Sequence, residues 1–242
     1  MKKLGKYNVL AAPYTIWMIG FIIVPLFFIL YYGLTDKNFN FTFDNLLSIF
    51  KPVHLKSFAE SFRLSFISTV ICLILSFPLA LIFREKKMRK KSFIVYVFIL
   101  PMWMNALLRT FAWLTLLERQ GILNLILGFL HLPKIDIINT EKAIILGMVY
   151  NFLPFMILPL YNVLSKIDDD YINAAADLGA NKLTTFIKII LPLSVPGIVS
   201  GITMVFVPAL TTIIISDILG GGEILLIGNV IEQEFLLTFS IL

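Results

Sequence analysis

The feature that most constrains this chain is a series of long apolar stretches separated by short charged segments. A helix needs about 20 mainly apolar residues to cross a bilayer. Since lipid cannot satisfy exposed backbone N–H and C=O groups, such stretches are expected to be helical. Five stretches reach or approach that length: residues 9–34, 64–83, 92–117, 143–164 and 192–216. We therefore predict an all-α, polytopic membrane protein with five transmembrane helices.

Composition agrees with this prediction and excludes other classes. The chain is 59% hydrophobic and 14% charged, and its mean hydropathy is +0.92, values outside the range of soluble domains. The net charge of +5 comes from basic clusters that flank apolar stretches, which is typical of membrane anchors rather than of a nucleic-acid surface. Cys72 is the single cysteine, and His54 and His131 are isolated, so no metal site or intrachain disulfide is predicted.

Basic residues also predict the orientation in the membrane. Segment 84–91 carries six basic residues and belongs on the cytoplasmic side. The N-terminus is then also cytoplasmic, and its uncharged run 7–35 fits a retained span better than a cleaved signal peptide. It follows that residues 165–191 form a cytoplasmic loop, whereas residues 35–63 and 118–142 face outward.

The last part of the chain does not continue this alternation. Segment 217–229 is too interrupted to be an ordinary span, and it is expected to face outward. Residues 235–242 are too few, and too close to Glu232 and Glu234, to cross a membrane. We therefore expect a sixth span to be missing at the C-terminus, and a truncated product that cannot complete a transport path is one alternative.

Two short helices are predicted in the cytoplasmic loop. The aspartates at 168–170 can cap the first N–H groups of a helix that ends at Gly179, a residue suited to a left-handed C-terminal conformation. A second helix is expected after Asn181, and Leu191-Pro192 is expected to stop it and start the fifth span. Its apolar residues are expected to share one face: Leu183, Phe186, Ile187 and Ile190. This arrangement is typical of a knob that docks into a soluble partner, or of a connector packed on its own spans.

The spacing within this loop carries a resemblance. Asn173-Ala174-Ala175 is followed after three residues by Gly179, and after nine more by Ile189, one residue and Leu191-Pro192. This pattern resembles the EAA loop of ABC importer permeases, in which a coupling helix seats in a cleft of the ATP-hydrolysing subunit. The resemblance implies that Asn173, Ala174, Ala175, Asp177, Gly179, Ile189, Leu191 and Pro192 form the coupling site. Asn173 stands where the family usually has Glu, which affects the expected strength of coupling.

Other stretches narrow the resemblance to spermidine/putrescine permeases of the PotB type. They include Pro101-Met-Trp103-Met-Asn105, Val149-Tyr150-Asn-Phe-Leu-Pro154, Ser216-Asp217-Ile-Leu-Gly220 and Ile227-Gly228-Asn229. The resemblance implies one transmembrane domain of the type I (MetI-like) importer fold over residues 1–242, with a core at about 60–242 and the coupling loop at 165–191. It also implies alternating access in a bacterial inner membrane.

The partners are implied by the same resemblance. They are a second, homologous permease, two cytoplasmic ATPase subunits that bind ATP and Mg, and an extracellular polyamine-binding protein. This chain would then have no catalytic residues and no cofactor of its own. Gly220-Gly221-Gly222 agrees with that expectation, because no Walker-type Lys and Ser/Thr follow the glycines.

A polyamine path requires carboxylates or aromatic faces to replace the water that a polycation loses. The candidates are Asp217, Glu223, Trp103, Tyr150 and Tyr161. Asp217 leads them, against the alternative of a helix-end carboxylate that is satisfied by solvent or by the glycine backbone. The aromatic residues have packing as their alternative. Arg109 is costly in hydrocarbon, about 2.5–3.5 kcal/mol, so an ion pair facing a cavity or partner is expected there.

Three other functions compete with polyamine import. An ABC importer permease for another small solute would share the fold and the loop. An intramembrane enzyme would place convergent polar groups in several spans, but residues 9–34, 64–83, 143–164 and 192–216 contain no charged side chain. A passive channel or membrane scaffold would leave the cytoplasmic loop without a docking role.

Overall fold

A computed structural model describes residues 12–36, 40–84 and 100–239, and these residues form an almost entirely helical structure. The β-structure within these residues is an isolated antiparallel bridge between Thr35 and Phe41. The helices are α1 (Ala12–Gly33), α2 (Asp44–Ser48), α3 (Pro52–Arg84), α4 (Ala106–Leu117), α5 (Ile122–Phe129), α6 (Glu141–Leu164), α7 (Asp169–Asp177), α8 (Lys182–Leu210), α9 (Ile214–Leu219) and α10 (Ile227–Phe239). The predicted all-α class is confirmed.

Four of these helices are long and apolar enough to cross a membrane: α1, α3, α6 and α8. They correspond to four of the five predicted spans. The third predicted span, 92–117, differs, because its described part is a 3₁₀ helix at Leu100–Trp103 followed by a separate start of α4. Asn105 causes that new start, since its side chain accepts a hydrogen bond from the N–H of Leu107 at 2.8 Å.

Some predictions fall on residues that the structure does not describe. The first part of the third predicted span, 92–99, lies outside the described residues. So do the basic residues at 85–91 and the N-terminal lysines, on which the predicted orientation rests. Residues 240–242 of the predicted C-terminal segment also lie outside them.

The chain divides into two compact units, Met1–Lys56 and Ser57–Leu242. In the first unit, α1 exposes apolar side chains around its whole circumference, as a helix surrounded by lipid does. The Asn45 side chain of α2 donates to the carbonyls of Tyr32 at 3.2 Å and Thr35 at 3.0 Å. These two bonds hold α2 against the end of α1.

In the second unit, α6 is the central helix because it contributes to both large apolar clusters. One cluster joins α6 to α3, α4 and α9 around Ile144, Met148 and Leu219. The other joins α6 to α3 and α8 around Met156, Leu160 and Val205. Both clusters lie along the membrane-length helix α6. Packing against α6 therefore sets the positions of the segments at its two ends.

Glycines let α8 approach α6 closely. A Cβ on Gly201 would stand 2.5 Å from Met156 Sδ, and one on Gly197 would stand 3.0 Å from the carbonyl oxygen of Pro159. Small residues of this kind allow two transmembrane helices to pack backbone to backbone. The segment that connects α6 to α8, residues 165–181, is therefore anchored at both ends by closely packed helices.

Candidate coupling loop and substrate path

The first helix of the loop, α7, begins where the sequence predicts it. Asp168 has an extended backbone at the N-cap, and its Oδ1 accepts a hydrogen bond from the N–H of Asp170 at 3.2 Å. Asp169 and Asp170 occupy the first turn, where a negative charge favours the positive end of the helix dipole. These local contacts define the start of α7.

Gly179 ends α7 in the predicted left-handed conformation, with φ of +79°. The N–H of Ala180 donates to the carbonyl of Ala175, and the N–H of Gly179 donates to that of Ala176, both at 2.9 Å. This pair of bonds is the Schellman motif, which satisfies carbonyls that the helix end would leave free. The predicted helix and glycine end are confirmed.

The start of α8 is confirmed at its cap but not at its predicted end. Asn181 accepts a hydrogen bond from the N–H of Thr184 at 2.8 Å and so caps the helix. The helix then continues through Leu191-Pro192 to Leu210, so the predicted stop at Leu191-Pro192 is wrong. A π-helical turn at Phe186–Ile190 explains this. The N–H of Leu191 donates to the carbonyl of Phe186 across that turn. Pro192 then lies in the first turn of the regular α-helical part, Leu191–Leu210, where its missing N–H is tolerated.

The single apolar face predicted for the start of α8 is divided. Phe186 and Ile190 pack against the second core cluster, and the Phe186 ring lies 5.5 Å from the Phe77 ring of α3 at 82°. Leu183 and Ile187 instead remain exposed, at 65% and 51%. The π-helical turn changes the angular spacing of these residues, so ideal α-helical periodicity does not apply across it.

Exposed apolar side chains remain on the loop after it has packed on its own helices. Besides Leu183 and Ile187, Leu178 is 89% exposed and Tyr171 is 59% exposed. A connector that only packs on its own spans would bury such side chains. The exposure of Leu178 and Tyr171, which lie outside the membrane-length helices, favours docking of this surface onto another protein.

The residues of the predicted coupling pattern take up two kinds of position. Ala175 is buried, at 6% exposed, and Ile189 and Leu191 are half-buried. Exposed positions are taken by the remaining members, Asn173, Ala174, Asp177, Gly179 and Pro192. The pattern therefore combines residues that seat the loop on its own chain with residues that a partner can contact.

Asp217, the leading substrate candidate, lies on α9 and is exposed. Its Oδ1 accepts a hydrogen bond from Asn229 Nδ2 at 2.5 Å. Asn229 is only 2% exposed, and its own Oδ1 accepts from Ser216 Oγ at 2.7 Å and from the N–H of Leu226 at 3.2 Å. Asn229 is absent from the predicted site, although it falls in one of the stretches that carry the resemblance. It holds the Asp217 carboxylate in place between α9 and α10.

The other path candidates are spread over several elements. Glu223 is exposed after Gly221 and Gly222, whose φ values are +63° and +72°. Trp103, the last residue of the 3₁₀ helix, is 83% exposed. On α6, Tyr150 and Tyr161 are about 16 Å apart along the axis, at 1.5 Å per residue. The described chain therefore does not gather all five candidates into one pocket.

The two tyrosines of α6 have packing roles. Tyr150 is 37% exposed and makes an edge contact with Trp113 of α4, with ring centroids 5.3 Å apart. Tyr161 is half-buried against the second core cluster. These contacts agree with the packing alternative, while leaving part of Tyr150 accessible.

Arg109 is buried in α4, at 8% exposed. Among the described residues, its Nε and Nη1 atoms have no hydrogen-bond partner, and the expected ion pair is not formed. A buried guanidinium without a partner is costly. Its positive charge makes direct contact with a cationic substrate unfavourable.

Comparison with known proteins places this geometry in context. The family described as "Binding-protein-dependent transport system inner membrane component" matches residues 66–240. The chain is 39% identical over 231 residues to the spermidine/putrescine transport system permease protein PotB of Haemophilus influenzae, covering 92% of this chain and 80% of that protein. It is 37% identical over 229 residues to PotB of Escherichia coli K12, covering 91% and 83%.

A solved structure has the same fold. A chain of a bacterial ABC transporter involved in the import of the acidic polysaccharide alginate matches with a TM-score of 0.75 and 18% identity. The match covers 96% of this chain and 84% of that one. The predicted type I importer permease fold is thereby confirmed.

Proposed function

This chain belongs to the family of binding-protein-dependent transport system inner membrane components, and we propose that it is the permease subunit of an ATP-driven polyamine importer. The observation that carries the proposal is its 37–39% identity, over more than nine-tenths of its length, to spermidine/putrescine permeases. The family is a transporter component rather than an enzyme. The chain therefore supplies the path and its movement, and its partners supply the chemistry.

The proposed substrate follows from the relatives and not from the fold. Similarity at 18% identity to an alginate importer supports the architecture alone. A polyamine carries several positive charges, so its path needs anionic or aromatic groups. Asp217 and Glu223 are exposed on and after α9, with Asp217 fixed by Asn229, and they are proposed to contact the cation. Trp103, Tyr150 and Tyr161 are proposed as secondary contacts along the path.

The loop at residues 165–191 is proposed to couple the path to ATP hydrolysis. Its exposed apolar residues, including Leu178 and Leu183, support docking on a cytoplasmic ATPase subunit. The N-cap at Asp168 and the glycine end at Gly179 support a rigid α7 that can transmit force. The coupling site comprises the eight residues named for it above. Closure of the ATPase pair, which binds ATP and Mg, would then move α7 and the helices attached to it.

The proposed assembly contains this chain, a second permease, two ATPase subunits and an extracellular polyamine-binding protein. The N-terminus and the loop at 165–191 are proposed to face the cytoplasm, and α9 to face the path from the outer side. The membrane helices alternate between inward and outward access around the shared path. Residues 1–242 act as one transmembrane domain in this scheme.

Uptake of labelled spermidine tests the proposal. The assay uses cells that lack this chain but keep its partner permease, ATPase subunits and binding protein, with and without the chain restored. Restored uptake that unlabelled putrescine suppresses, and that sulfate and sugars do not, is the expected result. Restored uptake of a sugar or sulfate without uptake of spermidine would overturn the polyamine assignment while retaining an importer.

A further inference from the structure

Arg84, the last residue of α3, is bonded to the start of the coupling loop. Its Nη2 donates to the carbonyl oxygen of Ile167 at 3.0 Å and to Asp169 Oδ1 at 2.9 Å. The Arg84 side chain is 12% exposed and that of Asp169 is 41% exposed. A guanidinium that is largely removed from water and held by both a carbonyl and a carboxylate is displaced less readily than one in an exposed ion pair.

Arg84 binds the segment at which α7 begins. Asp169 is in the first turn of α7, next to the Asp168 N-cap. Ile167 packs against the second core cluster just before that cap. Arg84 therefore holds the N-terminal end of α7, and a displacement of α7 acts directly on the guanidinium.

A second contact joins α3 to the other helix of the loop. Phe77, about two turns before Arg84 and so on the same side of α3, packs edge-on against Phe186 at 5.5 Å. The loop is covalently continuous with α6 and α8 only. Through Arg84 and Phe77 it is also attached to α3, a helix with no direct chain connection to it.

The part of α3 that precedes its uncharged stretch also carries a charged attachment. Arg63 Nη2 donates to Glu60 at 2.6 Å and to Glu141, in the first turn of α6, at 2.5 Å. The uncharged residues 64–83 between the two arginines extend about 30 Å, the thickness of the hydrocarbon core. A movement imposed at Arg84 can therefore reach the far side of the membrane through one continuous helix.

We propose that Arg84 is a positioning residue that transmits movement of the coupling loop to α3. In this arrangement, ATPase closure displaces α7, and the ion pair between Asp169 and Arg84 makes α3 tilt together with α6 and α8. Without the pair, the loop moves while α3 follows only through the ring contact of Phe77. The inference rests on the proposed function, because it requires a loop that an ATPase moves.

The test uses the complete complex in proteoliposomes and measures spermidine uptake and ATP hydrolysis together. Arg84→Gln removes the charge, and Asp169→Asn removes it from the partner while keeping the side-chain shape. Each is expected to lower spermidine carried per ATP hydrolysed by roughly five-fold or more, and the double variant is expected to be no worse than either single one. Retention of the ATPase subunits on purification is expected to be unchanged.

Arg119→Gln is the matched control. Arg119 pairs with Asp136 at 2.7 Å, but the two side chains are 81% and 52% exposed and lie outside the loop. The hydrogen bond to Asp136 raises the pKa of Arg119 above its ordinary value, so the control also removes a fixed charge. Uptake per ATP is expected to stay at the wild-type value in this variant.

Equal uptake per ATP in Arg84→Gln and wild type would overturn the inference, as would additive losses in the double variant. If Arg84→Gln lowers the yield of assembled complex, the ratio in Asp169→Asn decides by the same criterion. A wild-type complex that hydrolyses ATP without carrying spermidine would instead overturn the proposed function. The two failures are therefore distinguishable.

Discussion

Replacement of Gly179 by Ala tests whether the left-handed end of α7 is needed for coupling to the ATPase as well as for stability. The residue has φ of +79°, and a Cβ added there would meet no heavy atom within 4 Å. The cost is therefore backbone strain alone, about 1–2 kcal/mol for an L-residue in the left-handed conformation. Loss of glycine's flexibility in the unfolded chain offsets part of this cost. The net cost of about 0.5–1.5 kcal/mol is expected to lower the population of the native end of α7, relative to other conformations, about 2- to 12-fold.

Gly222 offers a control with the same local physics. Its φ is +72°, and a Cβ there also meets nothing within 4 Å, but it lies in the turn after α9. Gly222→Ala is therefore expected to destabilise the purified chain as much as Gly179→Ala. Gly179→Ala alone is expected to reduce ATPase co-purification, and its ATP-driven spermidine uptake is expected to fall with it. Gly179→Asn is expected to restore part of both, because Asn tolerates the left-handed conformation.

The readouts are thermal unfolding of the detergent-solubilised chain, recovery of the ATPase subunits with the tagged permease, and spermidine uptake by the complex. Equal losses of co-purified ATPase in Gly179→Ala and Gly222→Ala would refute the reasoning, since strain at either place would then suffice. Full co-purification and uptake in Gly179→Ala, at a confirmed loss of stability, would refute the docking role of this helix end.

Three further predictions concern buried packing and the path. Ala175→Leu should destabilise the chain by about 1–3 kcal/mol in thermal unfolding because Ala175 is 6% exposed, whereas Ala174→Leu at an exposed position should not. Asn229→Ala should cost about 1–3 kcal/mol in the same assay, because it leaves the buried N–H of Leu226 without its acceptor. Asp217→Asn should raise the spermidine concentration for half-maximal uptake about five-fold or more while hydrolysis stays coupled, and Asp136→Asn should leave it unchanged.

Features that depend on neighbouring residues in the chain are the ones that the sequence predicts well. The Asp168 cap, the glycine end at Gly179 and the Asn181 cap all rest on hydrogen bonds within a few residues. The span at 64–83 is likewise bounded by Arg63 and Arg84, where the helix meets charged partners. Hydrophobic length and capping chemistry are local properties, and the structure agrees with them.

Features that depend on tertiary packing are the ones that the sequence does not predict. The helix runs through Pro192 because a π-helical turn forms at Phe186–Ile190, where Phe186 packs on Phe77 from a distant part of the chain. The pair of Arg84 and Asp169 joins residues that are 85 positions apart. The bond from Asn229 to Asp217 joins α9 to α10 across the turn that separates them. None of these contacts has a signal in local periodicity.

The most direct test of the account is ATP-dependent uptake of labelled spermidine into proteoliposomes that contain this chain with its partner permease, ATPase subunits and binding protein. The ATPase is supplied either in active form or as a variant that binds ATP without hydrolysing it. The account predicts accumulation only with the active ATPase, and its loss when this chain is omitted. Spermidine entry that is equal with both ATPase forms would contradict a coupled permease and indicate a passive channel.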